Sequence, residues 1–125
     1  MSGAVVLVLD DEAEIAEFVA DVVDMSDLPV TFISDCDQLE TALVDSVQLL
    51  IMDLLMPKCS GVELIERVAQ ARSSLQLILM SGETYDFIEE AHIKASEMGL
   101  SVVGVLQKPF FAADLEALLE KSSLL

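Results

Sequence analysis

Basic residues are scarce in this 125-residue sequence, which has 6 Lys and Arg residues against 23 Asp and Glu residues. The resulting net charge of −17 argues against direct binding to nucleic acid or to an anionic membrane surface. No uninterrupted apolar run approaches the roughly 18 residues of a transmembrane helix, and the amino terminus lacks the basic region of a signal peptide. The sequence therefore predicts a cytoplasmic protein without a membrane span.

Cysteine is nearly absent as well, with only Cys36 and Cys59 present. The two residues are not arranged in a CxxC motif or in any other close spacing typical of a metal site. We therefore expect two free thiols in a reducing compartment.

What the sequence has in abundance is apolar residues, which make up 54% of the chain and alternate between two patterns. Short continuous runs rich in β-branched residues are typical of strands buried on both faces, and runs with apolar residues at helical spacing indicate helices. The predicted strands are Ala4–Leu9, Val30–Ser34, Val47–Asp53, Leu75–Met80 and 101–107, and the predicted helices are 11–25, 37–45, 61–72, 85–98 and 111–123. This alternation predicts an α/β fold with a parallel five-stranded sheet covered on both faces.

Polar residues that could bind a metal or react lie where these strands end. Asp53 interrupts the apolar run LLIMDLLM, Asp10 and Asp11 follow the first strand, Ser81 follows the fourth, and Lys108 follows the fifth. Functional residues of doubly wound sheets gather at the carboxyl ends of the strands. Three carboxylates meeting there need a counter-charge, which a hard divalent cation and the ammonium group of Lys108 would supply.

These residues lie in four motifs, VLDDE, DLLMPKCSG, LMSG and QKPF. In this order the motifs resemble the signatures of response-regulator receiver domains of the CheY-like type, and the resemblance covers essentially the whole chain. It implies a single receiver domain over residues 1–125, with a flavodoxin-like (βα)5 fold and the strand order 2-1-3-4-5.

The resemblance also implies a role for each motif residue. Asp53 matches the aspartate that accepts a phosphoryl group from a sensor histidine kinase or a histidine phosphotransfer protein. Ser81 matches the hydroxyl residue that hydrogen-bonds this group. Lys108 matches the invariant lysine, whose bond to Pro109 is expected to be cis.

The metal expected from the resemblance is Mg²⁺, with Mn²⁺ or Ca²⁺ as substitutes. Its implied ligands are Asp10, which acts largely through water, Asp11, Asp53 and the backbone carbonyl of Leu55. The implied function is phosphorelay signal transduction, without enzymatic activity beyond assisting the chain's own phosphorylation and dephosphorylation.

Phosphorylation is expected to switch the face formed by the fourth strand, the fourth helix and the fifth strand, and so to control an output domain or a partner. The approach to Lys108 resembles that of receivers attached to EAL-type cyclic-di-GMP phosphodiesterase domains, which suggests an EAL-type output. A homodimer through the fourth helix, the fifth strand and the fifth helix is a further expectation.

Two residues depart from the common receiver pattern. Val105 stands three residues before Lys108, where an aromatic switch residue is usual. We therefore expect the loop after Ser81 and the helix that follows it to carry the conformational change. Leu55 is apolar where many receivers have a polar residue.

Three alternative functions fit the sequence less well. A haloacid-dehalogenase-type phosphatase normally has an acid two residues after its nucleophile, where this chain has Leu55. A flavodoxin-like FMN carrier needs a phosphate loop rich in glycine and hydroxyl residues, where this chain has acidic residues. A pseudo-receiver that serves only for protein contacts would not need the complete set of motif residues.

Overall fold

The central sheet has five parallel strands. The computed structural model describes residues 3–82 and 85–124, and it places strands at Val6–Leu9 (β1), Val30–Ile33 (β2), Leu49–Asp53 (β3), Leu55–Met56 (β4), Cys59–Ser60 (β5), Gln76–Ser81 (β6) and Ser101–Gln107 (β7). β4 and β5 form a small antiparallel hairpin, and the other five strands form the sheet in the order β2-β1-β3-β6-β7. This is the order 2-1-3-4-5 of the five predicted strands, so the predicted fold is confirmed.

Helices cover both faces of the sheet. They span Ala13–Met25 (α1), Leu39–Ala42 (α2), Gly61–Ala71 (α3), Tyr85–Glu97 (α4) and Ala112–Lys121 (α5). Buried residues of α1 and α5 pack in one core layer, and those of α2, α3 and α4 pack in the other. None of these helices is long and apolar enough to cross a bilayer, within the part of the chain that the structure describes.

The second predicted helix is shorter than its sequence suggested. A 3-10 helix over Cys36–Gln38 leads into α2, which is a single turn, and the region 43–45 is not helical. The predicted inward residues are nevertheless correct, because Leu39 and Leu43 are buried and Ala42 packs beside them.

The strand that carries Asp53 lies at the centre of the sheet, between β1 and β6. Its side chains alternate between the two core layers, with Leu50 and Met52 on one side and Leu49 and Ile51 on the other. All five residues of β3 are buried, including Asp53 at its carboxyl end. The fold therefore supports Asp53 on a fully buried central strand.

The expectation of two free thiols is wrong, because Cys36 and Cys59 form a disulfide. Cys36 follows β2 and Cys59 lies in β5, just beyond β3, and these segments meet at the same edge of the sheet with a Cα–Cα distance of 6.7 Å. This distance lies within the usual range for a disulfide. The parallel crossovers bring the two residues together, so their separation of 23 positions gave no sign of the pairing.

The last strand of the sheet is irregular. Leu77 pairs with Val102 but Ile78 pairs with Gly104, so Val103 is an extra residue in β7. As a result Val102 and Val105 both pack against the core layer of α2, α3 and α4, while Val103 packs against the other layer.

Candidate functional site

Three carboxylates meet at the carboxyl edge of the sheet. Asp10 follows β1 and is fully buried, Asp53 ends β3 with an exposed fraction of 3%, and Asp11 is exposed beside them. One carboxylate oxygen from each residue lies within 4.8 Å of the other two. The structure therefore brings together the three side chains that the sequence predicted as metal ligands.

Lys108 supplies a positive charge to this cluster. Its Nζ donates to Asp10 Oδ2 at 2.8 Å and to Asp53 Oδ2 at 3.1 Å, and Glu12 Oε1 lies 3.6 Å away. Its backbone N–H donates to the carbonyl of Ser81 at 2.9 Å, which fixes the loop that follows β7 against the end of β6. The Lys108–Pro109 peptide bond is cis, as predicted.

The environment shifts the pKa values of both Asp53 and Lys108, but for different reasons. Burial raises the pKa of Asp53, and the charge of Asp10 adds to this, while the N–H of Leu55 and the ammonium group of Lys108 work against it. Burial alone would lower the pKa of Lys108, but the hydrogen bonds to Asp10 and Asp53 outweigh it and raise the pKa above its ordinary value. Lys108 thus stays charged, whereas the environment disfavours the ionised form of Asp53.

The backbone holds the acidic side chains in fixed orientations. The N–H of Leu55 donates to Asp53 Oδ1 at 3.1 Å, and the N–H of Glu12 donates to Asp10 Oδ1 at 2.9 Å. Each of these carboxylates therefore has one oxygen held by the backbone and the other held by Lys108.

Ser81 lies at the same edge. It is fully buried at the end of β6, one residue beyond Met80, the register partner of Asp53. Its own register partner in β7 is Gln107, the neighbour of Lys108. The four motifs of the sequence therefore converge on one region of the structure.

Comparison with known proteins identifies the family of this chain. A model of the response regulator receiver domain matches residues 6–120. The chain belongs to this family. Receiver domains occur in the response regulators of two-component systems. The predicted class, a receiver domain of two-component signalling, is therefore confirmed.

Similar receivers are found among curated proteins and among solved structures. The transcriptional regulatory protein CpxR of Klebsiella pneumoniae is 27% identical over 94% of this chain, and FixJ of Bradyrhizobium diazoefficiens is 26% identical over 94% of it. The chain spans about half the length of these curated relatives, 50% and 55% respectively.

A response regulator receiver protein of Pseudomonas putida has a similar structure, with a TM-score of 0.78 and 28% identity over 98% of this chain and 99% of that one. The chemotaxis protein CheY4 of Vibrio cholerae has the same fold, with a TM-score of 0.79 and 23% identity over 96% of this chain and 98% of that one.

The family match gives no support to the alternative of a haloacid-dehalogenase-type phosphatase. The residue two positions after Asp53 is Leu55, which is 55% exposed and cannot act as a general acid. An FMN carrier is disfavoured as well, because acidic residues occupy the edge where a phosphate would bind.

Two features of this region did not follow from the sequence. Glu12 is the N-cap residue of α1, and its side chain also reaches Lys108. The disulfide lies beside the cluster, because one cavity of about 120 Å³ is lined by both Asp11 and Cys36. Neither feature has a local sequence signal, since both depend on how the loops meet.

Proposed function

We propose that this receiver domain accepts a phosphoryl group on Asp53 from a sensor histidine kinase or a histidine phosphotransfer protein, in a reaction that requires Mg²⁺. The observation that carries the proposal is the placement of Lys108 between two buried carboxylates, with a third carboxylate beside them. Stability alone gives no reason to bring three acids together at the carboxyl ends of two buried strands.

Asp53 is suited to act as the nucleophile. An oxygen of its carboxylate would form a bond to phosphorus while the bond from phosphorus to the histidine nitrogen of the donor breaks, which leaves an aspartyl phosphate and a neutral imidazole once a proton is taken up. The hydrogen bonds from Leu55 and Lys108 set the orientation of the carboxylate before the donor arrives. Phosphoryl transfer depends chiefly on such positioning and on neutralising charge.

The cluster has the chemistry of a Mg²⁺ site. Its donors are all oxygen atoms, from Asp10, Asp11 and Asp53, and we expect the backbone carbonyl of Leu55 to complete the set. Mn²⁺ or Ca²⁺ would bind the same oxygens. When bound, the divalent cation supplies positive charge to the oxygens of the transferred group.

Lys108 and Ser81 would act on the phosphorylated form. The ammonium group of Lys108, which now lies between Asp10 and Asp53, would pair with an oxygen of the phosphoryl group. The hydroxyl of Ser81 would donate to another oxygen from the neighbouring strand end. These two residues would link modification at Asp53 to β6 and β7.

The conformational change would take place beside Val105, which stands where an aromatic switch residue is usual. Val105 is half-buried and lines a groove of about 320 Å³ together with Ile88, Glu89, His92 and Gln107. A stiff β-branched side chain cannot sweep out the volume of an aromatic ring. We therefore expect the change to lie in the loop after Ser81 and in α4, although residues 83 and 84 of that loop lie outside the described residues.

The partners follow from the same proposal. The switched face comprises β6, α4 and β7. It would control either an output domain or a partner protein, and we predict that an output domain would be of the EAL type. Dimerisation through α4, β7 and α5 is a further prediction. The length of the curated relatives, about twice that of the matched region, supports an output domain beyond this chain. We place the protein in the cytoplasm, where phosphohistidine donors act.

Phosphorylation can be tested by intact-mass measurement after incubation with acetyl phosphate. We expect one added phosphate in the presence of Mg²⁺ and none in its absence. Asp53→Ala should abolish the addition, and Asp21→Ala, which removes an exposed acid of α1, should not change it. Equal phosphorylation of the Asp53→Ala variant would refute the assignment.

The site of the conformational change can be tested by amide hydrogen exchange with and without a beryllofluoride mimic of the phosphoryl group. Changes in protection should concentrate between Ser81 and Met98. Changes centred on Val105 and α5, with no response in the segment from Ser81, would contradict this account.

A further inference from the structure

The hairpin that follows Asp53 is fastened to the segment after β2 by one covalent bond and several polar contacts. The covalent bond is the disulfide between Cys59 of β5 and Cys36 of the 3-10 helix. Lys58, at the tip of the hairpin, lies 3.5 Å from Asp35 and 3.8 Å from Asp37. These two ion pairs are exposed and contribute little on their own, so the disulfide is the strong link.

A guanidinium group adjoins the disulfide. Arg67 of α3 donates through Nη2 to the carbonyl of Cys36 at 2.7 Å and through Nε to Glu40 Oε2 at 2.7 Å. Its Nη1 lies 3.6 Å from the sulfur of Cys59. A positive charge at this distance stabilises a thiolate, and a disulfide releases more readily the sulfur whose thiolate is better stabilised.

The disulfide borders the proposed phosphorylation site. Cys36 lines the cavity that Asp11 also lines, and the hairpin begins with Leu55, whose N–H holds Asp53 Oδ1. The hairpin therefore connects the disulfide at one end to the acceptor carboxylate at the other. A change in its freedom would alter the position of the Leu55 backbone.

We propose that Cys36 and Cys59 form a reversible thiol–disulfide site, whose reduction frees the β4–β5 hairpin and thereby weakens divalent-cation binding at the acidic cluster. The second half of this inference rests on the proposed function, whereas the first half does not. Disulfides of reducing compartments are mostly transient and redox-sensing. Both cysteines belong to a core layer, but Cys36 also lines the cavity beside Asp11, through which a reductant would reach its sulfur.

The chemistry requires a thiol reductant, and a dithiol is the class we infer. Its thiolate attacks the sulfur of Cys36, the S–S bond breaks, and the electron pair leaves on the sulfur of Cys59 beside Arg67. The second thiolate of the reductant then attacks the mixed disulfide and releases Cys36. Two electrons pass to the protein, two protons are taken up to give two thiols, and the reductant becomes a cyclic disulfide.

Reversibility is tested with the whole chain in buffers of reduced and oxidised dithiothreitol, followed by quenching with a maleimide and intact-mass measurement. We expect a single transition between protein that carries no label and protein that carries two labels. Two labels even in fully oxidised dithiothreitol, or no labels in the fully reduced form, would overturn the proposal.

The role of Arg67 is tested by the rate of reduction. Arg67→Gln should slow the release of Cys59 by about threefold or more, and Arg67→Lys, which keeps a positive charge, should restore part of the rate. Arg72→Gln is the matched control, because Arg72 also bonds backbone carbonyls of the neighbouring segment but does not contact a sulfur. Reduction of Arg67→Gln at the wild-type rate or faster would overturn this role.

The effect on the hairpin is tested by amide hydrogen exchange of the oxidised and reduced forms. Reduction should lower protection in residues 54–60 and 35–40. The double variant Cys36→Ser, Cys59→Ser should resemble the reduced form and should not respond to the redox buffer. Identical protection in the oxidised and reduced wild type would overturn the proposal.

Coupling to the acidic cluster is measured by Mg²⁺ titration of both redox forms. We expect the oxidised form to bind Mg²⁺ about fivefold to tenfold more tightly than the reduced form. By thermodynamic linkage, saturating Mg²⁺ should then shift the thiol–disulfide equilibrium toward the disulfide by the same factor. Equal Mg²⁺ affinity in both forms overturns the coupling and leaves the proposed function intact. Absence of Mg²⁺ binding in both forms refutes the proposed function instead.

Discussion

Removal of the disulfide should reduce the stability of the domain by an amount that its loop length sets. The bond between Cys36 and Cys59 closes a loop of about 24 residues, since the two positions are 23 apart. Closing a loop of this length removes about 11.6 cal/mol/K of entropy from the unfolded chain, or about 3.4 kcal/mol at room temperature.

The assay is urea denaturation of the oxidised wild type, the reduced wild type and the double variant Cys36→Ser, Cys59→Ser. The free energy of unfolding should fall by about 3 kcal/mol on reduction, and the double variant should match the reduced protein. For a domain of this size the same difference should lower the melting temperature by roughly 10–15 °C.

Two results would refute the reasoning. One is a difference below about 1 kcal/mol between oxidised and reduced wild type, because loop closure cannot be that weak unless the unfolded chain is already constrained. The other is an equal effect of reductant on the double variant, which has no thiol to reduce.

The remaining predictions concern the acidic cluster. Because the pKa of Asp53 is raised in the folded state, its ionised form opposes folding, so Asp53→Asn should raise the free energy of unfolding at pH 7 by on the order of 1 kcal/mol. This gain should shrink as the pH falls through the folded-state pKa of Asp53. Urea denaturation at pH 7 and pH 4 would detect the change. A gain that grows at low pH would contradict the upward direction of the pKa shift. Lys108→Met should cost about 3 kcal/mol in the same assay, because it leaves the fully buried carboxylate of Asp10 without its cation; an unchanged stability would show that the charge of Lys108 is dispensable. Mg²⁺ at about 100 times its Kd should add about 2.7 kcal/mol, seen as a higher melting temperature that Asp10→Asn reduces, and a melting temperature indifferent to Mg²⁺ would count against the metal site.

Much of the fold could be predicted because its strands are sheltered on both sides. The strand before Asp53 is a continuous apolar run, and only a position covered on both faces of a sheet accommodates such a run. The convergence of Asp10, Asp53 and Lys108 could be predicted as well, because parallel strands end at one edge and the strand order followed from the family resemblance.

The features that could not be predicted depend on contacts between loops. Cys36 and Cys59 carry no spacing signal, and only the packing of the hairpin against the 3-10 helix brings their sulfurs together. The hairpin has no sequence pattern either, because two residues on each side of its turn are too few to show alternation. Helix α2 was predicted too long, since the apolar spacing continues past Ala42 although the helical backbone does not.

The irregular pairing of β7 has a consequence for how the molecule behaves at high concentration. β7 is an edge strand, and an edge strand offers unpaired N–H and C=O groups on which a strand of another molecule can build. The extra residue Val103 breaks the regular spacing of these groups, so a straight incoming strand cannot match them along its length. The opposite edge, β2, has only four residues from Val30 to Ile33. Neither border of the sheet is a good template for the continuous strand stacking that leads to fibrils.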